Sequence, residues 1–287
     1  PDHLHYMLLP RLAALCEVQW CQPEVKNWDR FFDSADEFCA IYDVMGYKYG
    51  KHIFDTKGDI KVNNEKGCVE VILDAQGETP IRYTLDGTEP TLDSPLYTEP
   101  VEIRKSCTIM ARSDKNGLTG RTFKKTFAAH KAMGRPVQTL TETHPNYTFT
   151  CPDLLTDGLV GEGPYNSGDF AGWYNQPFEA VLDMGGAAYS EVTLSTFVFK
   201  HDWVFQPENV KVLTSDDGEN FTEVAHMDVT GIGNINDGNG AIDYTLQFPE
   251  TSAKYLKVTA DCCTSLPEWH PGAGSPGFLF IDEVIVR

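Results

Sequence analysis

Near residue 59 the apolar residues change period, and that change limits the fold more than any other feature of the chain. Before it they recur at steps of three and four. Between residues 23 and 49, Trp28, Phe31, Phe32, Ala35, Phe38, Cys39, Tyr42 and Met45 mark the buried face of a helix, and Gly46 and Gly50 supply its stop. The apolar stretch 7–20 ahead of it reads as a short helix running into a strand. After residue 59 the period is two. Strands are predicted at 68–73, 81–85, 101–103 and 107–112, parted by turn signals at 74–80, 86–95 and Asn116-Gly117. Short strands this close together predict a small immunoglobulin-like sandwich.

A linker follows, with Gly134, Pro136 and a Thr-rich run to Pro145. Beyond it, strands are predicted at 178–183, 191–199, 209–215, 221–227, 242–248, 255–260 and 278–286, with long connections that fit a jelly-roll sandwich. The fold class is therefore mainly β behind a helical start, with predicted segments 1–52, 59–135 and 145–287. No unit repeats at a period of 20 to 50 residues.

The chain has 287 residues and a net charge of −19, from 23 Lys and Arg against 42 Asp and Glu. Such a balance excludes non-specific binding to nucleic acid or anionic lipid, which reward clustered cations. Residues 140–287 hold 5 basic and 22 acidic side chains, so −17 of the charge sits there, and Arg287 is the lone arginine of that segment. No apolar run approaches the roughly 18 residues of a membrane span, and no signal peptide is visible at the start.

Three segments resemble known families. Leu9-Pro10-Arg11-Leu12-Ala13-Ala14-Leu15-Cys16-Glu17-Val18-Gln19-Trp20 and the helix after it resemble the last strand and helix of the barrel of family 20 glycoside hydrolases, the β-N-acetylhexosaminidases and chitobiases. The resemblance implies a remnant of a (β/α)8 barrel in which Glu17 binds outer hydroxyls of a terminal sugar and Trp20 lies near the same pocket. It also implies that the catalytic Asp-Glu pair of the substrate-assisted reaction lies N-terminal to this chain, on a missing N-terminal barrel of the same protein. The two Asp-Glu dipeptides present, Asp36-Glu37 in the amphipathic helix and Asp282-Glu283 in the last strand, read as structural or metal-related. Tyr83-Thr84-Leu85-Asp86-Gly87-Thr88-Glu89-Pro90-Thr91 is similar to the immunoglobulin-like domain that follows the barrel in many hexosaminidases, and reads as a spacer.

The last segment resembles the discoidin, or coagulation factor 5/8 type C, domain, known among sugar-binding modules as carbohydrate-binding family 32. The matching runs are Leu155-Thr156-Asp157-Gly158, Ala180-Val181-Leu182-Asp183-Met184-Gly185, Val210-Lys211-Val212-Leu213-Thr214-Ser215, Lys254-Tyr255-Leu256-Lys257-Val258 and Ile281-Asp282-Glu283-Val284. A structural calcium is implied, with Leu154 and Asp282 giving carbonyls and Asp157 and Glu283 carboxylates; Asn166 or Ser167 would replace donors displaced by a long 159–172 loop.

A sugar module stacks a pyranose face on an aromatic ring and fixes its hydroxyls with a few polar groups. Two connections carry such residues: 199–205 with His201 and Trp203, and 263–271 with Trp269. Those three residues form the predicted sugar site, with Lys200, Asp202, Glu268 and His270 as polar partners. Trp173 reads as core. Galactose-binding modules of this family commonly use an Arg, which this segment lacks at the loops, and a point-charge Lys200 copies a forked donor poorly.

Eight cysteines show no CxxC pair, so zinc and thioredoxin-like readings find no support. A bridge from Cys151 to Cys262 or Cys263 and free buried thiols both stay open. The expected function is a carbohydrate-binding accessory region of an extracellular or periplasmic β-N-acetylhexosaminidase, inactive alone. It would bind neutral terminal sugars: N-acetylglucosamine (GlcNAc), N-acetylgalactosamine (GalNAc) or galactose. The alternatives are a stand-alone lectin or adhesin and a protein-interaction module.

Overall fold

Helices come first and strands second, as the change of period predicts. The computed structural model describes residues 2–231 and 233–287. The helices are α1 (Asp2–Leu8), α2 (Arg11–Trp20), α3 (Trp28–Asp33) and α4 (Ala35–Val44). Two expectations change here. The stretch to Trp20 stays helical and does not turn into a strand: Leu, Ala, Glu and Gln favour a helix, and a lone strand would leave its backbone groups without a partner. The long helix predicted over 23–49 breaks at Ser34, which closes α3 through Ser34 N–H to Arg30 O and opens α4 through its own carbonyl. Asn27 caps α3 by accepting from Arg30 N at 2.8 Å. Phe32, Ala35, Cys39, Tyr49 and Phe54 pack together beneath these helices.

The chain divides into two compact units: one takes residues up to 59 with 71–101 and 107–125, the other 60–70, 102–106 and 126–287. The middle strands are β1 (Lys57–Asn63), β2 (Cys68–Asp74), β3 (Ile81–Thr84), β4 (Val101–Ile103), β5 (Cys107–Ser113) and β6 (Phe123–Phe127). They form two three-stranded sheets, β1-β2-β4 and β3-β5-β6.

The terminal sandwich holds β7 (Val137–Thr139), β8 (Ala171–Tyr174), β9 (Phe178–Asp183), β10 (Tyr189–Val198), β11 (Asn209–Ser215), β12 (Thr222–Asp228), β13 (Gly240–Thr251), β14 (Tyr255–Ala260) and β15 (Phe278–Val286). One sheet runs β13-β10-β15-β8, the other β12-β11-β14-β9-β7. The Thr-rich stretch read as linker thus supplies β7, which pairs with β9 from Val137↔Leu182 to Thr139↔Ala180. Alternate residues of both sheets meet in one core, among them Leu182, Val192, Leu194, Val212, Val258, Leu279 and Ile281. Trp173 lies in it at 0% exposure, edge-on to Phe178 with ring centres 4.9 Å apart.

β15 is central in its sheet, between β10 and β8, and carries a β-bulge. Leu194 faces Val284 and Thr196 faces Ile281, so Asp282 and Glu283 together oppose Ser195. Leu279 and Ile281 point to the core before the bulge, Val284 and Val286 after it. The extra residue re-aims the two acids.

Among the described residues no helix is long and apolar enough to cross a membrane. All eight cysteines are free thiols; Cys262 Sγ donates to Gly277 O at 3.2 Å. Replacing the core indole tests the sandwich. Trp173→Ala should lower the unfolding free energy by about 3–5 kcal/mol in urea titrations, and an unchanged midpoint would contradict the packing.

Candidate functional site

The pairing Val198↔Gly240 sets the end of β10 beside the start of β13, and Phe205 N–H to Phe278 O (2.9 Å) brings the start of β15 to the same end. Three connections meet there: 199–204, 233–239 and 261–277. In the first, Phe199 and Val204 exchange backbone bonds around a turn of 3-10 helix, Lys200–Asp202. Trp203 follows at φ +68°. Its indole lies on Gly272, where a Cβ would come within 2.4 Å of Cζ2; only glycine lets the third loop settle on the ring.

The predicted sugar contacts divide by exposure. Lys200 is 2% exposed, and its Nζ donates to Asp237 O at 2.5 Å and Asn234 O at 3.3 Å. Burial pushes its pKa down. His270 is 3% exposed; Nε2 donates to Lys200 O at 2.7 Å while Nδ1 accepts from Gly272 N at 3.0 Å. These two side chains therefore spend their polar atoms on backbone. Trp203 is half-buried and edge-on to His270. His201, Asp202, Glu268 and Trp269 remain at the surface. Trp269 is 39% exposed and its ring lies 25° from the plane of buried Phe205, 6.1 Å away. His201 Nε2 is 3.2 Å from Asn236 Oδ1, and Tyr165 O–H donates to Asp202 Oδ2 at 3.0 Å. Asn236 was not among the residues expected from sequence. Its signal is the Asn-, Asp- and Gly-rich run 233–240.

The residues expected to hold calcium also lie in the terminal sandwich. Leu154 is on a 3-10 turn, Asp153–Thr156, and Asp157 follows as its cap. Glu283, 1% exposed, accepts from Gly158 N at 3.2 Å and pairs with His130 Nε2 at 2.8 Å. Asp282, 3% exposed, accepts from Gly161 N at 2.7 Å. Burial and the nearby Asp157 and Asp169 carboxylates push Asp282 up to about 8. Burial, Asp157 and Asp282 push Glu283 well above the carboxylate range. Carboxylate and carbonyl oxygens are the donor types calcium takes, but the side-chain ligand atoms of Asp157, Asp282 and Glu283 do not gather within 4.8 Å of one another. Ser167, one of the two proposed substitutes, donates instead to Asp169 Oδ2 at 3.0 Å. Asp169 was not anticipated. Elsewhere Cys68, Glu70 and Glu102 approach within 4.8 Å, but Lys66 bridges both carboxylates at 2.8 and 3.0 Å.

Glu17 and Trp20 lie in the first unit. Glu17 pairs with Arg30 at 2.5 Å, which with Cys21 holds its carboxyl below the usual range. Trp20 ends α2 at 92% exposure. Asp36 of the first Asp-Glu dipeptide accepts from Asn116 Nδ2 at 2.7 Å.

Residues 71–127 match the Fn3-associated family model. The chain is similar to a β-hexosaminidase of Porphyromonas gingivalis, 29% identical over 115 residues, which cover 39% of this chain and 14% of that protein. It is 40% identical over 43 residues to a β-N-acetylhexosaminidase of Cellulomonas fimi, covering 15% of this chain and 9% of that one. The chain thus spans a small part of these relatives' length. Among solved structures it is similar to a family 32 carbohydrate-binding module of Clostridium perfringens in complex with GalNAc-β-1,3-galactose (19% identity, 55% of this chain, 99% of that one, TM-score 0.35). A fucose-binding module of Streptococcus pneumoniae gives 20% identity, 55% and 94% coverage and a TM-score of 0.34.

The buried acids set a pH dependence. A carboxyl group whose pKa rises from 3.8 to about 8 on folding keeps its proton in the native state where the unfolded chain has lost it, so stability falls as pH climbs through that interval. His130 acts oppositely: burial pushes it from 6.5 to about 4, so stability falls as pH drops below 6.5. Between about pH 6.5 and 8 the carboxyl effect is left without that offset. Without divalent cations the unfolding free energy should decline across this window, and Asp282→Asn should flatten the decline. A rise across it in chelator would contradict the assignment.

Proposed function

We propose that the chain is a carbohydrate-binding region associated with a β-N-acetylhexosaminidase, and that its terminal sandwich holds a neutral sugar at the loop end around Trp269, with His201, Asp202 and Glu268 as polar partners. The observation that carries this reading is the setting of Trp269. An indole left 39% exposed yet backed by the buried Phe205 ring offers a fixed apolar face, which is what a pyranose stacks on. Trp203 contributes a wall beneath Gly272, and Lys200 and His270 hold the loops.

The charge supports the choice of ligand. A segment at −17 repels sulfated and sialylated chains and leaves neutral terminal sugars: GlcNAc, GalNAc or galactose. Association with a hexosaminidase rests on the similarity to the two bacterial relatives; a setting outside the cytoplasm is part of the same proposal. The chain by itself is then a binder without turnover: Asp36 is tied to Asn116, and Asp282 and Glu283 are buried in β15, so neither dipeptide is placed for acid and base work on a sugar. A structural calcium held by the Leu154 and Asp282 carbonyls with the Asp157 and Glu283 carboxylates belongs to the same reading. Its charge would relieve the repulsion among the acids, and the chain should then melt higher with calcium than in chelator.

Calorimetric titration of the full chain with galactose, GalNAc and GlcNAc tests the sugar site. At least one should bind, and Trp269→Ala should weaken it by about tenfold or more. Unchanged affinity in Trp269→Ala and in His201→Ala would overturn the site. Release of chromophore from an aryl N-acetylglucosaminide would overturn the assignment of the chain as non-catalytic.

A further inference from the structure

The 233–239 loop has the composition of a cation-binding loop. Asn234, Asn236, Asp237 and Asn239 supply oxygens, and Gly233 and Gly238 take φ +64° and +59° so that the chain can curl. The charge its carbonyls meet belongs to the protein itself. Lys200 Nζ donates to Asp237 O at 2.5 Å and Asn234 O at 3.3 Å, and the Asp237 carboxylate balances the buried ammonium. The loop closes on itself around this point: Asp237 N–H donates to Asn234 O at 3.1 Å, Asn234 N–H to Asp237 Oδ2 at 3.0 Å and Asn236 N–H to Asn234 Oδ1 at 2.9 Å.

Residue 200 also joins the other two loops. Its N–H donates to Asn239 Oδ1 at 3.0 Å and its carbonyl accepts from His270 Nε2 at 2.7 Å. A single residue in the 199–204 connection thus binds the 233–239 loop through its head group and the 261–277 loop through its backbone. Next to it, His201 Nε2 meets Asn236 Oδ1 at 3.2 Å on the surface.

We infer that the Lys200 ammonium is a built-in cation that orders the 233–239 loop, and that by doing so it places Asn236 beside His201 as a specificity-determining contact of the sugar site. Lys200 is a positioning residue: it acts on the ligand through the loop. The part concerning Asn236 rests on the sugar site proposed above; the ordering of the loop does not. Physically, an uncharged chain of equal length would take that donor from the Asp237 carbonyl and leave the Asn234 carbonyl with the Asp237 N–H alone, and the loop would open to hydrate them.

Hydrogen exchange and sugar titration on the full chain separate the two parts. In Lys200→Met the amides of Asn234, Asn236 and Asp237 should exchange about tenfold faster or more, while those of β11 and β14 keep their protection. In Lys200→Ala, methylammonium chloride should restore loop protection where sodium chloride at equal ionic strength does not. A purely space-filling role would show no such cation rescue. Asn236→Ala should weaken the bound sugar by about tenfold with its loop still protected. Unchanged loop exchange in Lys200→Met, or equal exchange of Lys200→Ala in the two salts, overturns the ordering role. If Trp269→Ala binds sugar as the parent does, the sugar site fails while the exchange data still decide the loop. If Trp269→Ala loses sugar and Asn236→Ala does not, the site stands and the role of Asn236 falls.

Discussion

The two-for-one pairing of Asp282 and Glu283 against Ser195 in β15 is the constraint on which the terminal sandwich turns. A regular strand would continue the alternation of Leu279 and Ile281 and send Glu283 into the hydrocarbon core. The bulge hands the core face to Val284 and Val286 and spares it that position. Both acids stay buried, but against polar backbone. Asp282 receives Gly161 N–H, and Glu283 receives Gly158 N–H and meets His130. The same strand takes Lys131 N–H at Val286 O, so residues 130 and 131 fasten to it by side chain and backbone. One inserted residue thus sets the sheet, the acid cluster and the seating of the preceding segment.

Two places in the sandwich bury ionisable groups, acids at one and a lysine at the other. Around β15, burial first and neighbouring carboxylates second raise the proton affinity of Asp282 and Glu283. At the loop end a buried ammonium gathers backbone carbonyls. The loops 199–204, 233–239 and 261–277 are joined at Lys200 by hydrogen bonds within the chain itself.

Strand periodicity in the sequence located the centre of the fold well. Strands 178–183, 209–215, 255–260 and 278–286 match β9, β11, β14 and β15 end to end, because strands buried against a core must alternate. The four strands left unread, β1, β6, β7 and β8, all lie at sheet edges. Edge strands are short or charged; Lys57–Asn63 and Phe123–Phe127 alternate mostly between exposed and half-buried positions, with lysines among the exposed ones, so few apolar residues mark the period. The helix through Trp20 was missed because a strand reading needs a partner, which no local pattern reports. At the site, loop aromatics and a histidine pointed to Trp269, Trp203 and His201. Residue type could not distinguish them from Lys200 and His270, whose inward turns depend on partners 34 to 70 positions away. Neither the bulge nor Asn236 is visible without the pairing that creates it.

The central claim is that a sugar ring lies on the outer face of Trp269. The most direct measurement is a crystal structure of the chain soaked with whichever of GalNAc, galactose or GlcNAc binds in solution. The account predicts a pyranose stacked on the Trp269 indole with a hydroxyl in reach of His201. A sugar bound elsewhere on the sandwich, with Trp269 uncovered, would contradict it.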